Sequence, residues 1–444
     1  MLLLHPLPLC LILLLLDATS AENLASRAVE HVHRLATHHS KGFARDLRIA
    51  FGAVMLGKRQ QAPFGFNNRV VYCKANGTLN AGSHSGSSGS GSNDSGSGSE
   101  SGSGSGSNGT HTGNQGGSSG SATGSSPEPS GTPVSTPWKL AESHSGNNFF
   151  DGWSFFTNPD PTNGIVDYVD QNTGWSHNLL EVNSDGHVIM RVDTTQNIGN
   201  ANRESVRITT NSHYDQGMFI LDAVHMPTGC GSWPAWWTNG PNWPAGGEID
   251  IIEGVNDYTN NQATIHTNPG CTITSDKSNV LGITGNVIGG TNCAAAETNN
   301  QGCGIRSSSS VSYGAAFNNN GGGVYAMTLN STGVAIYFFP RGSIPSDIQA
   351  GTPLPALWGQ PMAIWGSSGC DPSKYFSQQS MIFDTTFCGD WASGVWSASG
   401  IPGQESSCAT RTGFSTCEDY VRQNGNAFQQ AYWEIKSVKV YQHS

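Results

Sequence analysis

Three acidic residues fall within six positions in the run Gly246-Gly247-Glu248-Ile249-Asp250-Ile251-Ile252-Glu253-Gly254. An Ile-rich run bounded by glycines reads as a β-strand, and like charges gathered on one strand face repel. Strict alternation puts Glu248 and Asp250 on one face, Ile249 and Ile251 on the other, and turns Glu253 over to the Ile side. A one-residue bulge around Ile251-Ile252 returns Glu253 to the acidic face. The two glutamate Cα atoms then lie roughly 13 Å apart. Side chains leaning inward bring the carboxyl groups toward the ~5–5.5 Å at which one carboxylate attacks an anomeric carbon while the other protonates the leaving sugar. Asp250 between them adds negative charge that helps the acid keep its proton. The competing reading of the strand is an exposed acidic face or a cation site.

Aromatic residues stand beside this strand. Trp233-Pro234-Ala235-Trp236-Trp237 and Pro241-Asn242-Trp243-Pro244 place four Trp within eleven residues. Trp faces are platforms for the C–H faces of sugar rings. Any one of these rings is as readily a core residue as a stacking one; the cluster favours at least one stacking residue. A turn near residues 257–261 brings Gln262–Thr267 back beside the acidic strand, with His266 expected near Glu253. Arg207, in Ser205-Val206-Arg207-Ile208, is a sugar-binding candidate that a salt bridge at the sheet rim explains equally well.

The elements that must carry these side chains are short strands. Runs at 186–193, 205–210, 217–226, 247–255, 262–267, 323–329, 333–339, 381–387 and 432–441 are strand-like, many alternating apolar and polar residues, with Gly, Asn and Pro between them. No long amphipathic helix is visible. All twelve Trp lie from Trp138 onward. The expected architecture is all-β, a sandwich or jelly roll over residues 137–444, with substrate laid across one sheet.

Ahead of it, Leu2–Leu16 is almost wholly apolar and is followed by Asp17-Ala18-Thr19-Ser20-Ala21, as in an export signal covering residues 1–21. It is short for a membrane span, so no stable span is expected. Residues 22–80 form a basic, His-rich segment with helical spacing at Leu24, Ala28, Val32 and Leu35 and a dibasic Lys58-Arg59, read as a propeptide or small surface-binding helix. Residues 81–136 are a Ser/Gly tract that cannot bury apolar surface and is expected to be a disordered tether.

Charge follows this division. Residues 1–80 hold nine Lys/Arg against four Asp/Glu, whereas from Trp138 onward twelve bases face twenty-five acids. That balance excludes a nucleic-acid partner and favours a neutral one. Eight of the ten Cys (Cys230, Cys271, Cys293, Cys303, Cys370, Cys388, Cys408, Cys417) fall in the last half, which in an exported domain implies up to four disulfides of undetermined connectivity. No Cys/His spacing suggests zinc. Four N-x-S/T sequons, at Asn76, Asn93, Asn108 and Asn330, are compatible with glycosylation.

Together, Trp233-Pro234-Ala235-Trp236-Trp237, Pro241-Asn242-Trp243-Pro244-Ala245-Gly246-Gly247 and the acidic strand resemble the signature of glycoside hydrolase family 16. The resemblance is to its fungal, secreted laminarinase-type members, which carry the bulged E-x-D-x-x-E rather than the unbulged E-x-D-x-E. It spans about residues 138–444, taking in Gly229-Cys230-Gly231, Ile265-His266-Thr267 and the block Ile382–Trp391. It does not account for residues 22–136. It implies a β-jelly-roll of two curved antiparallel sheets and retaining endo-hydrolysis of β-glucans. By position, Glu248 is the nucleophile, Asp250 its assistant and Glu253 the acid/base, while Trp236, Trp243, His266 and Trp391 contact sugar. No cofactor and no catalytic metal is expected. The partner is a neutral β-glucan, and the chain is expected to be a secreted, extracellular or wall-associated monomer. Two other functions use the same features: a wall-remodelling transglycosylase working with the same glutamates, and a β-glucan-binding protein that does not cut. The intact acidic trio argues against the second.

Overall fold

The alternating runs become two eight-stranded antiparallel sheets. The computed structural model describes residues 136–444; the leader, the basic segment, the Ser/Gly tract up to residue 135 and the sequons at Asn76, Asn93 and Asn108 lie outside the described residues. The first sheet has the spatial order β16 (Ala363–Gly366), β15 (Gly333–Pro340), β14 (Gly323–Asn330), β8 (Gly217–His225), β18 (Tyr432–His443), β5 (Val188–Arg191) and β4 (Leu180–Val182), with β1 (Trp138–His144) paired to β18. The second runs β12 (Asn286–Ile288), β13 (Cys303–Arg306), β11 (Gln262–His266), β10 (Glu248–Glu253), β9 (Ser232–Asn239), β17 (Ser380–Phe387), β7 (Ile208–Thr210) and β2 (Trp153–Phe155). A short parallel pair, β3 (Val166–Tyr168) and β6 (Arg203–Ser205), stands apart.

One apolar core fills the space between the sheets. Phe219, Leu221, Met327, Ile336, Val438 and Val440 enter it from the first sheet, and Trp236, Ile249, Ile252, Ile265 and Phe383 from the second. Alternation then leaves the opposite face of the second sheet for Glu248, Asp250, Ala235, Trp237, Ile382 and Asp384. The architecture is the expected jelly-roll sandwich, and among the described residues no helix exceeds the seven residues of Cys417–Gln423.

Strand β9 departs from the sequence expectation. Its proline and crowded Trp lie outside the strand-like runs read from the sequence, yet Ser232–Asn239 is a central strand between β10 and β17. Pro cannot donate to a ladder, so it is tolerated only where no acceptor waits. The ladder between β9 and β10 ends at the Ala235–Glu253 pair, one residue before Pro234. The carbonyl of Ser232, which shares Pro234's orientation along the strand, instead accepts from Asn256 N (2.9 Å) beyond the end of β10.

All eight late cysteines are bridged, as Cys230–Cys408, Cys271–Cys370, Cys293–Cys303 and Cys388–Cys417. Two of these fasten the helical segment after β17 back onto the beginning of β9 and the end of β17.

Candidate active site

The bulge on β10 assembles the acidic face. Register with β9 pairs Glu248 with Asn239 and Asp250 with Trp237, then shifts, so that Ile252 pairs with Trp236 and Glu253 with Ala235. Ile251 and Ile252 are therefore both fully buried in the core, while Glu253 joins Glu248 and Asp250 on the other face. A bulge pulls backbone groups out of the ladder, and here one buried side chain takes them up. Asn261 Nδ2 donates to Ile251 O (2.8 Å), and Glu253 N donates to Asn261 Oδ1 (3.0 Å). Gly254 follows because a Cβ at that position would come within 2.8 Å of the Tyr313 ring. The sequence reading did not single out Asn261; its partners are visible only once the chain has turned.

Glu248, Asp250 and His266 offer ionisable atoms within 4.8 Å of one another, each on a residue 3% exposed. His266 Nε2 lies 3.3 Å from Asp250 Oδ2 and 3.9 Å from Glu248 Oε1. The expectation of His266 beside Glu253 is corrected here. In an antiparallel hairpin the residues nearest the turn meet the end of the first strand, so His266, far from the turn, pairs back to Glu248.

Glu253 is the carboxyl whose environment favours the protonated form. Burial pushes its pKa well above the ordinary glutamate value, the negative charge of Asp250 adds to this, and a hydrogen bond from Trp233 opposes it. Trp233 Nε1 donates to Glu253 Oε1 at 2.9 Å. An indole N–H can only donate, so Oε1 acts as acceptor and a bound proton sits on Oε2.

The candidate sugar-binding residues separate by strand face. Trp243 is half-buried and lines a depression with His213, Asn239, Asn242 and Gln378. Arg207 lies in the cleft beside the acidic trio, its guanidinium over Phe156 (4.4 Å) and Trp237 (5.1 Å), so it forms cation–π contacts rather than the rim salt bridge. Trp236 and Trp391, by contrast, have no exposed surface. Trp236 stacks on Phe383 in the inter-sheet core. Trp391 packs edge-on against Trp233 and Tyr258. Neither presents a face to a substrate; alternation along β9 gives the cleft to Trp233 and Trp237 instead.

Asp384, within the block Ile382–Trp391, is a further cleft residue that no spacing in the sequence marks. It accepts from Trp237 Nε1 (3.1 Å) and Tyr168 Oη (3.1 Å). Burial raises its pKa to about 6, against the opposing pull of Arg207. The cleft thus carries four carboxyl groups, two of them poised above the usual range.

Residues 153–441 match the family described as the XgeA-like, catalytic GH16 domain. The chain belongs to glycoside hydrolase family 16. Among its relatives, a probable glycosidase of Schizosaccharomyces pombe is 45% identical over 309 residues, covering 69% of this chain and 70% of the relative. A probable endo-1,3(4)-beta-glucanase of Aspergillus niger is 44% identical over 312 residues, covering 70% of this chain but 40% of its own length. This chain therefore spans less than half the length of that relative. Among solved structures, an elongating family 16 beta-1,3-glucosyltransferase is 40% identical, with a TM-score of 0.61, covering 69% of this chain and all of that one. Laminarinase 16A from Phanerochaete chrysosporium, solved with 6-O-glucosyl-laminaritriose in donor and acceptor sites, is 37% identical with a TM-score of 0.62, covering 69% of this chain and 99% of its own.

Proposed function

We propose that this chain is a retaining endo-β-glucanase that cuts β-1,3-linked glucans, including mixed 1,3/1,4-linked or 1,6-branched ones, by double displacement. The observation that carries this reading is the bulged β10, which gathers Glu248, Asp250 and Glu253 on the cleft face. Glu248 attacks the anomeric carbon and forms a covalent glycosyl-enzyme. Glu253, protonated on Oε2, gives its proton to the departing sugar oxygen, then takes one from the water that releases the product. Asp250 stands between them, raising the affinity of Glu253 for its proton and sharing the His266 contact. Trp237, Trp243 and Arg207 are the groups offered to the sugar rings. The endo-1,3(4)-beta-glucanase name of the Aspergillus niger relative and the glucan-bound laminarinase support the same substrate class.

Export of the enzyme rests on the apolar leader and on four disulfides, which persist in oxidising compartments. Among the described residues, no helix is long and apolar enough to cross a membrane.

A second reading, transglycosylation, is favoured by the similarity to the elongating glucosyltransferase. It uses the same glutamates, with a sugar hydroxyl in place of water at the second step. Incubation with laminarin, lichenan and a 1,6-glucan, followed by product sizing and linkage assignment, separates the readings. Shortened chains support hydrolysis, redistributed lengths support transfer, and unchanged polymer on all three overturns both.

A further inference from the structure

We infer that Trp391 is a positioning residue for the acid/base carboxyl, acting on Glu253 through the indole of Trp233. The inference rests on the reading of Glu253 as acid/base. It starts from the place where the expected sugar contact failed: Trp391 is wholly buried, yet it leads back to the chemistry in two contacts. Its ring meets Trp233 edge-to-face, with centroids 5.6 Å apart and planes at 86°. Trp233 in turn holds Glu253 Oε1.

The support behind Trp391 is directed at the same spot. It sits on the short helix Gly389–Ala392, entered from Cys388 at the end of β17. Cys388 N donates to Gly231 O (2.8 Å), one residue before β9, and Cys388 is bridged to Cys417. Ala392 O accepts from Asn256 Nδ2 (3.4 Å), three residues beyond Glu253. Tyr258 also meets the Trp391 ring in a T-shaped contact, with centroids 6.2 Å apart. The ring is thus fixed between the start of β9 and the exit of β10, the two strands that carry Trp233 and Glu253.

Stability alone does not account for an indole here. Trp391 Nε1 is buried with no hydrogen-bond partner among the described residues, which is unfavourable for a donor out of water. A Phe would fill much of the site without that penalty. What the larger ring adds is contact with Trp233, and hence a fixed direction for the hydrogen bond that keeps the Glu253 proton on Oε2.

The test compares laminarin with an activated aryl glycoside, 2,4-dinitrophenyl β-laminaribioside, whose leaving group needs no proton. Trp391→Leu is expected to lower kcat on laminarin about tenfold or more, the scale of a weakened general acid. KM should stay within about twofold, because the ring touches no sugar. The dinitrophenolate burst should persist, and the alkaline limb of kcat/KM on laminarin should move to higher pH as the Trp233 hydrogen bond loosens. Trp391→Phe, the variant kept in case the leucine protein fails to fold, should give a smaller loss of the same pattern. Trp233→Phe should reproduce the pattern, and adding Trp391→Leu to it should cost little more. A loss of dinitrophenolate burst rate equal to the loss on laminarin, an unmoved alkaline limb, or fully multiplicative losses in the double variant overturn the inference. Glu253→Ala serves as the reference for the underlying reading. If it loses the burst with the activated substrate, the acid/base assignment fails; if it keeps the burst while the Trp391 variants show no selective loss, only the role of Trp391 fails.

Discussion

His266 Nε2 approaches Asp250 Oδ2 to 3.3 Å, so the central carboxylate of the trio is held from the β11 side. From this position Asp250 also acts on its other neighbour: its charge raises the pKa of Glu253, second only to burial. Replacing Asp250 with Asn removes a negative charge and makes Glu253 easier to ionise. The alkaline limb of kcat/KM is therefore expected to shift to lower pH, with a loss of rate at neutral pH. A pH profile of Asp250→Asn on laminarin checks the direction. A limb that moves up, or stays put, contradicts this coupling.

The two glutamates separate by their response to azide. Glu248→Ala removes the nucleophile, so turnover should stop, and azide entering the vacated space should give an α-glycosyl azide from an activated β-substrate. Glu253→Ala should still form the glycosyl-enzyme when the leaving group needs no proton, and azide then gives the β product. The anomeric configuration of each product by NMR decides the assignment. Exchanged configurations mean exchanged roles, and near-normal hydrolysis in both variants places the chemistry elsewhere.

Trp236 and Trp243 should part company when each is cut to Ala. Trp236 is wholly buried against Phe383, and removing a core Trp typically costs about 3–5 kcal/mol. Trp243 is half-buried at a depression in the surface, so its loss should leave the melting temperature nearly unchanged and raise KM for polymer. Thermal melts beside kinetics on laminarin make the comparison. A stable Trp236→Ala protein with a raised KM would return that ring to the substrate.

Strands β14 and β17, buried on both faces, were legible as bounded apolar runs rich in aromatic and β-branched residues, and β18 was legible because buried and half-exposed residues alternate along much of it. The acidic bulge was legible for the same reason: Ile251-Ile252 breaks a period of two. Strand β9, buried on both faces over its first seven residues, was not, because Pro234 interrupts a run that has no period. Without that period nothing in the sequence says which of Trp236 and Trp237 faces the cleft, and the position-based choice fell on the wrong neighbour. Asn261 and Asp384 were illegible for a different reason. Each acts through partners brought in by pairing, and Asp384 takes its hydrogen bonds from Tyr168 and Trp237, 216 and 147 residues away.

Asp384 gives the last expectation, a dependence of stability on pH. Its folded pKa of about 6 lies above an unfolded value near ~3.9, so the folded protein binds the extra proton between these limits. Stability from this group is then present at low pH and falls as pH rises through 6. The full shift corresponds to about 3 kcal/mol, with the opposing pull of Arg207 already contained in it. Asp384→Asn keeps an acceptor for Trp237 Nε1 and offers an amide donor to Tyr168 Oη, so the fold should hold. Urea unfolding at pH 4.5 and pH 7.5 is the measurement. The wild-type chain should lose more stability between the two than the Asn variant, whose curve should be flatter by about 1–3 kcal/mol. Parallel curves would mean that Asp384 stays ionised across the range, held by Arg207 more strongly than burial opposes it.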